Sequence, residues 1–189
     1  MNPGPADFFI GLDPGQRLDF SALAVVERLP GPSPCYHLRH LERLNLNTPY
    51  PAVVQRSRDL VAMTALRGTT KLVMDVTGVG APVLDLFHAQ GLRPAAITIT
   101  GGRSTSGTPE HLYVPKRALI ATLVGLLKAG RLTIALGIPL AAELIEELGN
   151  FQVRIHSRTR QESYGAKGRH KHDDLVLALA LAVFYAERI

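Results

Sequence analysis

The sequence predicts an α/β protein built on a mixed sheet, three antiparallel strands followed by parallel strands, with helices on both faces. Three observations carry this expectation. Short apolar runs with tight connections open the chain, the pattern of a meander. From about residue 49 onward, apolar runs alternate with stretches of helical period, as in strand–helix units. Near the end comes LVLALALAVFYA, apolar on every side and therefore suited to a helix enclosed by other elements.

Taken in order, residues 1–7 read as a disordered lead. FFIGLD (Phe8–Asp13) is a buried strand stopped by Pro14-Gly15, and SALAVVER (Ser21–Arg28) is the second. Leu29–Pro34, rich in proline, is a loop, and Cys35–Leu44 is the third strand. Pro49–Leu66 changes to helical spacing, with Thr48 as N-cap and Gly68 as terminator. Lys71–Val76 is a strand carrying one acid, Asp75, and Thr77-Gly78-Val79-Gly80 turns from it into a helix with Pro82 in its first turn, running through His88. Pro94–Thr100 is a fifth strand, Gly101–Pro109 a flexible loop, and Val114–Ala129 a helix starting near Pro115. Leu132–Ile134 is a short strand, Pro139–Leu148 a helix and Phe151–Ile155 a strand. It leads into a basic hairpin or mobile loop over 156–171, and the last helix starts near Asp173. No repeat and no break in composition divides the chain, so 1–189 reads as one domain.

At 189 residues, 46% hydrophobic and 20% charged, the composition is that of a soluble globular domain with a substantial core. No apolar run reaches the roughly 18–20 uninterrupted residues that cross a bilayer, and MNPGPADFFIG lacks the basic start of a signal peptide. Cys35, the only cysteine, excludes an internal disulfide and a cysteine-rich zinc site, which fits a cytoplasmic setting; next to a strand it reads as inert core. The net charge of +5 is local. Between Asn150 and His172 stand Arg154, Arg158, Arg160, Lys167, Arg169 and Lys171 against the single acid Glu162, so the remainder of the chain is balanced. A basic strip on a balanced protein fits binding of a polyanion, although a solvated loop has the same composition.

Two acids end apolar strands, Asp13 and Asp75, and two more, Asp173 and Asp174, open the last helix. Each has a structural role available to it: Asp before Pro-Gly starts a turn, and acids at a helix N-terminus cap free N–H groups. Together they suit a cation site, because ionised carboxylates against a core are unfavourable unless paired or metal-bound. An all-oxygen set favours Mg²⁺ or Mn²⁺. Two such ions about 4 Å apart activate water and stabilise the leaving oxygen of a phosphodiester. The basic strip would hold the flanking phosphates. The acids and the bases then explain one another, since an acid cluster without metal repels nucleic acid.

The order LD at the first strand, MDVTGVGAPV at a middle strand, VPKRALI opening a later helix and HDDLVLALALA near the end resembles the nuclease domain of phage terminase large subunits. The resemblance runs from about Phe8 to Tyr185. HDDLV with its alternating Ala/Leu is its most specific part, and D-x-TG-x-G is less so. It implies the RNase H-like, or retroviral-integrase-like, fold and a metal-dependent endonuclease that cuts double-stranded DNA with little sequence preference during viral DNA packaging. It implies Asp13, Asp75 and Asp173 or Asp174 as catalytic and metal-binding residues, a setting in the cytoplasm of a bacterial host, and an ATPase domain, portal or small terminase subunit as partners from other chains. His170 and His172 are candidate accessory groups, with a solvated basic loop as the plainer reading. Lys116, placed against the dipole at a helix start, is a candidate phosphate contact beside the six basic residues of the strip. The chain departs from the family in having no G-x-x-x-x-G-K-S/T motif, so it reads as an excised domain or a stand-alone relative, and translocation is not expected of it. Gly78 and Gly80 read as the turn beside Asp75 rather than as a nucleotide site. Another RNase H-like nuclease, acting on Holliday junctions or RNA–DNA hybrids, and a non-catalytic DNA-binding module are the alternatives.

Overall fold

The computed structural model describes residues 6–15, 19–65, 68–78, 80–156, 161–166 and 172–189, the stretches 151–156 and 161–166 as backbone only. The chain opens as a meander. β1 (Ala6–Asp13) pairs antiparallel with β2 (Ala22–Leu29), which pairs antiparallel with β3 (Cys35–Arg43) across a bulge at Val25/Val26. After α1 (Tyr50–Ala65), β4 (Gly68–Asp75) returns parallel to β1 on its other side. α2 (Gly80–Ala89) then leads to β5 (Ala95–Thr100), parallel to β4. A hairpin of β6 (Ser106–Thr108) and β7 (His111–Pro115) adds to β5, and after α3 (Lys116–Lys128) the short β8 (Leu132–Ile134) closes the far edge beside β3. α4 (Ala141–Asn150), a separate ribbon of β9 (Phe151–His156) and β10 (Gln161–Ala166), and α5 (Asp174–Ala186) complete the order. The sheet runs β6-β7-β5-β4-β1-β2-β3-β8, so β1 lies inside it with partners on both sides. This is the mixed sheet predicted from the alternation of periods.

Residue alternation along the strands divides the core in two. Phe8, Ile10 and Leu12 of β1 with Leu72 and Met74 of β4 face α1 and α2, where Val53, Val54, Leu60, Val83 and Phe87 meet them. Phe9 and Val73 face the other way, towards α3 and α5. Every residue of α5 from Asp174 to Ala186 is buried, which accounts for a sequence with no polar face. No helix among the described residues is long and apolar enough to cross a membrane.

One contact fixes how α5 lies on the sheet. A Cβ built on Gly11 would stand 1.9 Å from the carbonyl oxygen of Ala178 and 3.0 Å from the nitrogen of Ala182. The helix backbone therefore rests directly on the β1 backbone, and only glycine on the strand, facing small residues on the helix, permits it.

Several local expectations are corrected. Ala6 and Asp7 are not part of a disordered lead: they belong to β1, where Asp7 accepts hydrogen bonds from Arg28 (2.6 Å) and from the Thr69 hydroxyl. Thr48 does not cap α1, because its hydroxyl donates to the Asn45 carbonyl (2.6 Å) and closes the preceding turn. Gly68 starts β4 rather than ending α1. The loop expected over Gly101–Pro109 contains β6, and β7 precedes α3. Gly107 at φ +103° lets a three-residue strand hide in a Gly/Ser/Thr-rich segment. Cys35 is exposed rather than buried in the core.

Gly11→Ala is expected to destabilise the protein by about 2 kcal/mol or more, the scale of overpacking in a close-packed core. Urea unfolding followed by circular dichroism measures it. An unchanged midpoint would show that α5 does not depend on this contact.

Candidate metal centre

The register of the sheet brings the first two acids together. β1 and β4 are parallel with Leu12 opposite Met74, so Asp13 and Asp75 follow at equivalent positions on neighbouring strand ends. Leu12 and Met74 point to the α1/α2 core, and alternation sends both carboxylates to the opposite face, under the start of α5. Ala178, seated on Gly11, is one turn into α5 from Asp174. The result is a cleft of about 260 Å³ lined by Asp13, Asp75, Asp173 and Asp174, with Asp19, Phe20 and His172 at its margin.

The four acids differ in what holds them. Asp13 accepts no hydrogen bond from any described residue, and burial, then the charges of Asp75, Asp173 and Asp174, push its pKa well above the usual carboxylate range against the pull of Lys116. Asp75 is anchored through Oδ1, which accepts from the Thr77 backbone N–H at 2.8 Å and from the Thr77 hydroxyl. Burial raises its pKa against those bonds and Lys116. Asp173, in the N-cap position of α5 without capping it, takes the ammonium of Lys116 at 2.8 Å. Asp174, only 5% exposed, is gripped on both oxygens by Arg43, from Nε to Oδ2 at 2.7 Å and from Nη2 to Oδ1 at 3.2 Å. Burial raises its pKa in spite of that pair.

Arg43 also bonds Glu147 of α4, whose Oε2 accepts the Val176 N–H at 3.3 Å. Burial, then the neighbouring Asp174, pushes Glu147 up to about 7, with Arg43 opposing. The Arg43 guanidinium lies 5.1 Å from the centre of the Phe20 ring, and the His172 ring meets Phe20 edge-on at 4.8 Å. His172 Nδ1 is 4.0 Å from Asp174 Oδ1.

No family model matches the sequence, and no curated protein matches it by sequence. Solved structures do match the fold. The large terminase nuclease of the thermophilic phage G20c superposes with a TM-score of 0.67 at 24% identity, covering 94% of this chain and 81% of that one. The nuclease domain of the human cytomegalovirus terminase gives 0.60 at 12% identity, over 97% and 86%. That of the bacteriophage SPP1 large terminase, g2p, solved with bound Mn, gives 0.57 at 11% identity, over 97% and 87%. The fold is that of terminase nuclease domains.

On this RNase H-like frame, the acids singled out in the sequence share one cleft. Among the described residues, however, no three carboxylate or imidazole groups stand close enough to hold a common ion. Asp173 and Asp174 are instead paired with Lys116 and Arg43, respectively. The chemistry of the set still fits a hard cation. All its ligand atoms are oxygens, Asp13 is half-buried with no hydrogen-bond donor among the described residues, and the Lys116 ammonium already supplies positive charge beside Asp173. Lys116, expected as a phosphate contact, bonds Asp173, one of the residues that line the cleft. His170 and the side chains of Arg154, Arg158, Arg160, Lys167, Arg169 and Lys171 lie outside the described residues. Sequence reasoning missed Gly11, Arg43, Thr77 and Glu147. Only Thr77, two residues after an acid at a strand end, left a readable local signal.

Raised carboxylate pKa values make the metal-free fold hold protons that the unfolded chain has released. The stability that these carboxylates contribute is then fully present below the ordinary carboxylate range and is lost as pH rises through about 7, the Glu147 value. Carboxylates held low, such as Asp7 beside Thr69 and Arg28, titrate below that window. The melting temperature in a chelator should therefore fall from about pH 5 to pH 8, and Asp13→Asn should raise it at neutral pH and flatten the profile. Scanning calorimetry tests this, and a melting temperature that rises across the window would contradict the burial of these acids.

Proposed function

We propose that this chain is a divalent-metal-dependent endonuclease that cuts double-stranded DNA with little sequence preference. The observation that carries the proposal is the pairing of Asp13 and Asp75 on adjacent strand ends beneath Asp173 and Asp174, on the fold of terminase nuclease domains. Asp13, Asp75 and Asp173 would hold Mg²⁺ or Mn²⁺, two ions in all. The bound Mn of the SPP1 relative supports a divalent ion. Such ions supply a water acidic enough to attack phosphorus at neutral pH and charge to stabilise the leaving oxygen.

The chain's own residues do the rest. Asp173, 26% exposed and held by one lysine, is freer to turn inward than Asp174, which Arg43 grips on both oxygens; we assign the ligand role to Asp173 and an anchoring role to Asp174. Lys116 stands where it can pass from Asp173 to a phosphate oxygen. Arg154, Arg158, Arg160, Lys167, Arg169 and Lys171 bind flanking phosphates, and His170 and His172 serve beside the scissile group. In this reading the chain acts as one domain in the host cytoplasm, on DNA being packaged, with an ATPase domain, portal or small terminase subunit on other chains.

In Mn²⁺, Asp13→Asn and Asp75→Asn should each lower cutting of linear duplex by at least about 10²-fold, the loss typical when one electrostatic group is removed from an active site, with the fold intact by circular dichroism. Asp173→Asn should behave in the same way. Asp174→Asn should instead lower stability by about 1–3 kcal/mol, through the half-paired Arg43 it leaves behind. Wild-type rates in Asp13→Asn or Asp75→Asn would refute the assignment. Preferential cutting of a four-way junction or an RNA–DNA hybrid would favour those substrates, and intact DNA bound in Mn²⁺ would indicate a binding module.

Replacing Arg158 and Arg160 together by Ala should flatten the plot of log affinity against log salt by about 0.9 for each phosphate that is no longer neutralised. Filter binding on duplex DNA measures this. An unaltered slope would place the DNA-binding surface elsewhere.

A further inference from the structure

We infer that Thr77 is a positioning residue that makes Asp75 a one-oxygen ligand, and that it thereby biases the cleft towards small octahedral cations, Mg²⁺ and Mn²⁺, and against Ca²⁺. The inference rests on reading the cleft as a cation site, and it assigns a role to a residue outside the four acids.

The geometry begins in the sheet. The β4–β5 ladder runs to the pair Asp75–Ile97 and closes with the Val76 N–H donating to the Ile97 carbonyl at 2.9 Å. Two residues further along β5, the N–H of Ile99 points to the same side, where β4 has ended. The Thr77 hydroxyl oxygen accepts it at 2.7 Å. A hydroxyl has one proton to donate. With its oxygen fixed by a strand N–H, that proton goes to Asp75 Oδ1, which also receives the Thr77 backbone N–H at 2.8 Å.

Two donors on Oδ1 occupy the directions in which that oxygen could bind a cation. Oδ2 accepts nothing among the described residues and is left for the cleft. Asp75 can then meet an ion through one oxygen only, its angle set by the sheet rather than by a free rotamer. This matters for ion choice. Ca²⁺ takes six to eight oxygens and commonly draws two of them from one carboxylate, whereas Mg²⁺ keeps a six-oxygen shell with several waters and accepts single-oxygen carboxylates. A locked Asp75 suits the second habit and withholds the two-oxygen grip that favours the first.

The test is titration calorimetry on the full chain with Mn²⁺ and with Ca²⁺, without DNA, for wild type, Thr77→Val and Thr77→Ser. Thr77→Val keeps the branched shape and loses the hydroxyl; Thr77→Ser keeps the hydroxyl. Thr77→Val should bind Mn²⁺ about 10–100-fold more weakly, the usual effect of removing a group that orients a ligand. Its preference for Mn²⁺ over Ca²⁺ should shrink, and Thr77→Ser should stay within about threefold of wild type on both measures. If Thr77→Val does not fold, Thr77→Ala carries the same comparison. An unchanged Mn²⁺/Ca²⁺ ratio in the hydroxyl-less variant, with wild type binding Mn²⁺, overturns the role of Thr77 and leaves the cation site standing. Wild type that binds neither ion overturns the cation site itself.

Discussion

The contact between the α5 and β1 backbones at Gly11 is the constraint on which the rest of the site depends. It sets the height of the helix above the sheet to within the size of a methyl group. Two residues on from Gly11 the strand presents Asp13, and one turn back from Ala178 the helix presents Asp174. The separation of carboxylates from opposite ends of the chain is thus fixed by a glycine and an alanine that carry no chemistry themselves. Parallel pairing of β1 with β4 adds the third segment in register. None of these distances depends on a loop.

Bringing four acids together in a half-buried cleft is unfavourable, and the fold offsets it unevenly. Arg43 neutralises Asp174 and Glu147 at the back, and Lys116 neutralises Asp173 at the mouth. Asp13 has no hydrogen-bond donor among the described residues and bears the repulsion of the other three. A pocket finished at its rear and unfinished at its centre is suited to take up positive charge from outside. The aromatic ring of Phe20, between Arg43 and His172, keeps the rear of that arrangement packed.

Much of this was legible in the sequence because each acid stood at a place where an apolar pattern stopped. FFIGLD and KLVMD mark strand ends, and HDD marks the start of a helix with no polar face, so both the mixed sheet and the four acids followed from period alone. The neutralising partners were not legible. Arg43 is one of several charged residues on β3, and Glu147 lies in a run of acids on α4 whose members look alike until α5 is laid across them. β6 was hidden for a different reason: three residues of Ser, Gly and Thr carry no apolar alternation, and their strand state comes from the edge they pair with. Gly11 was invisible because a glycine within an apolar strand reads as filler until the helix above it is known.

The cleft draws its acids from the first strand, the fourth strand and the fifth helix, and the fifth helix follows every other described element. On a ribosome, Asp13 and Asp75 emerge and can pair long before Asp173 has been synthesised. A nascent or truncated chain that lacks the fifth helix would therefore carry only half of the acid cluster. Synthesis order thus makes the completed cluster a late event, one that waits for the last helix to settle on the sheet.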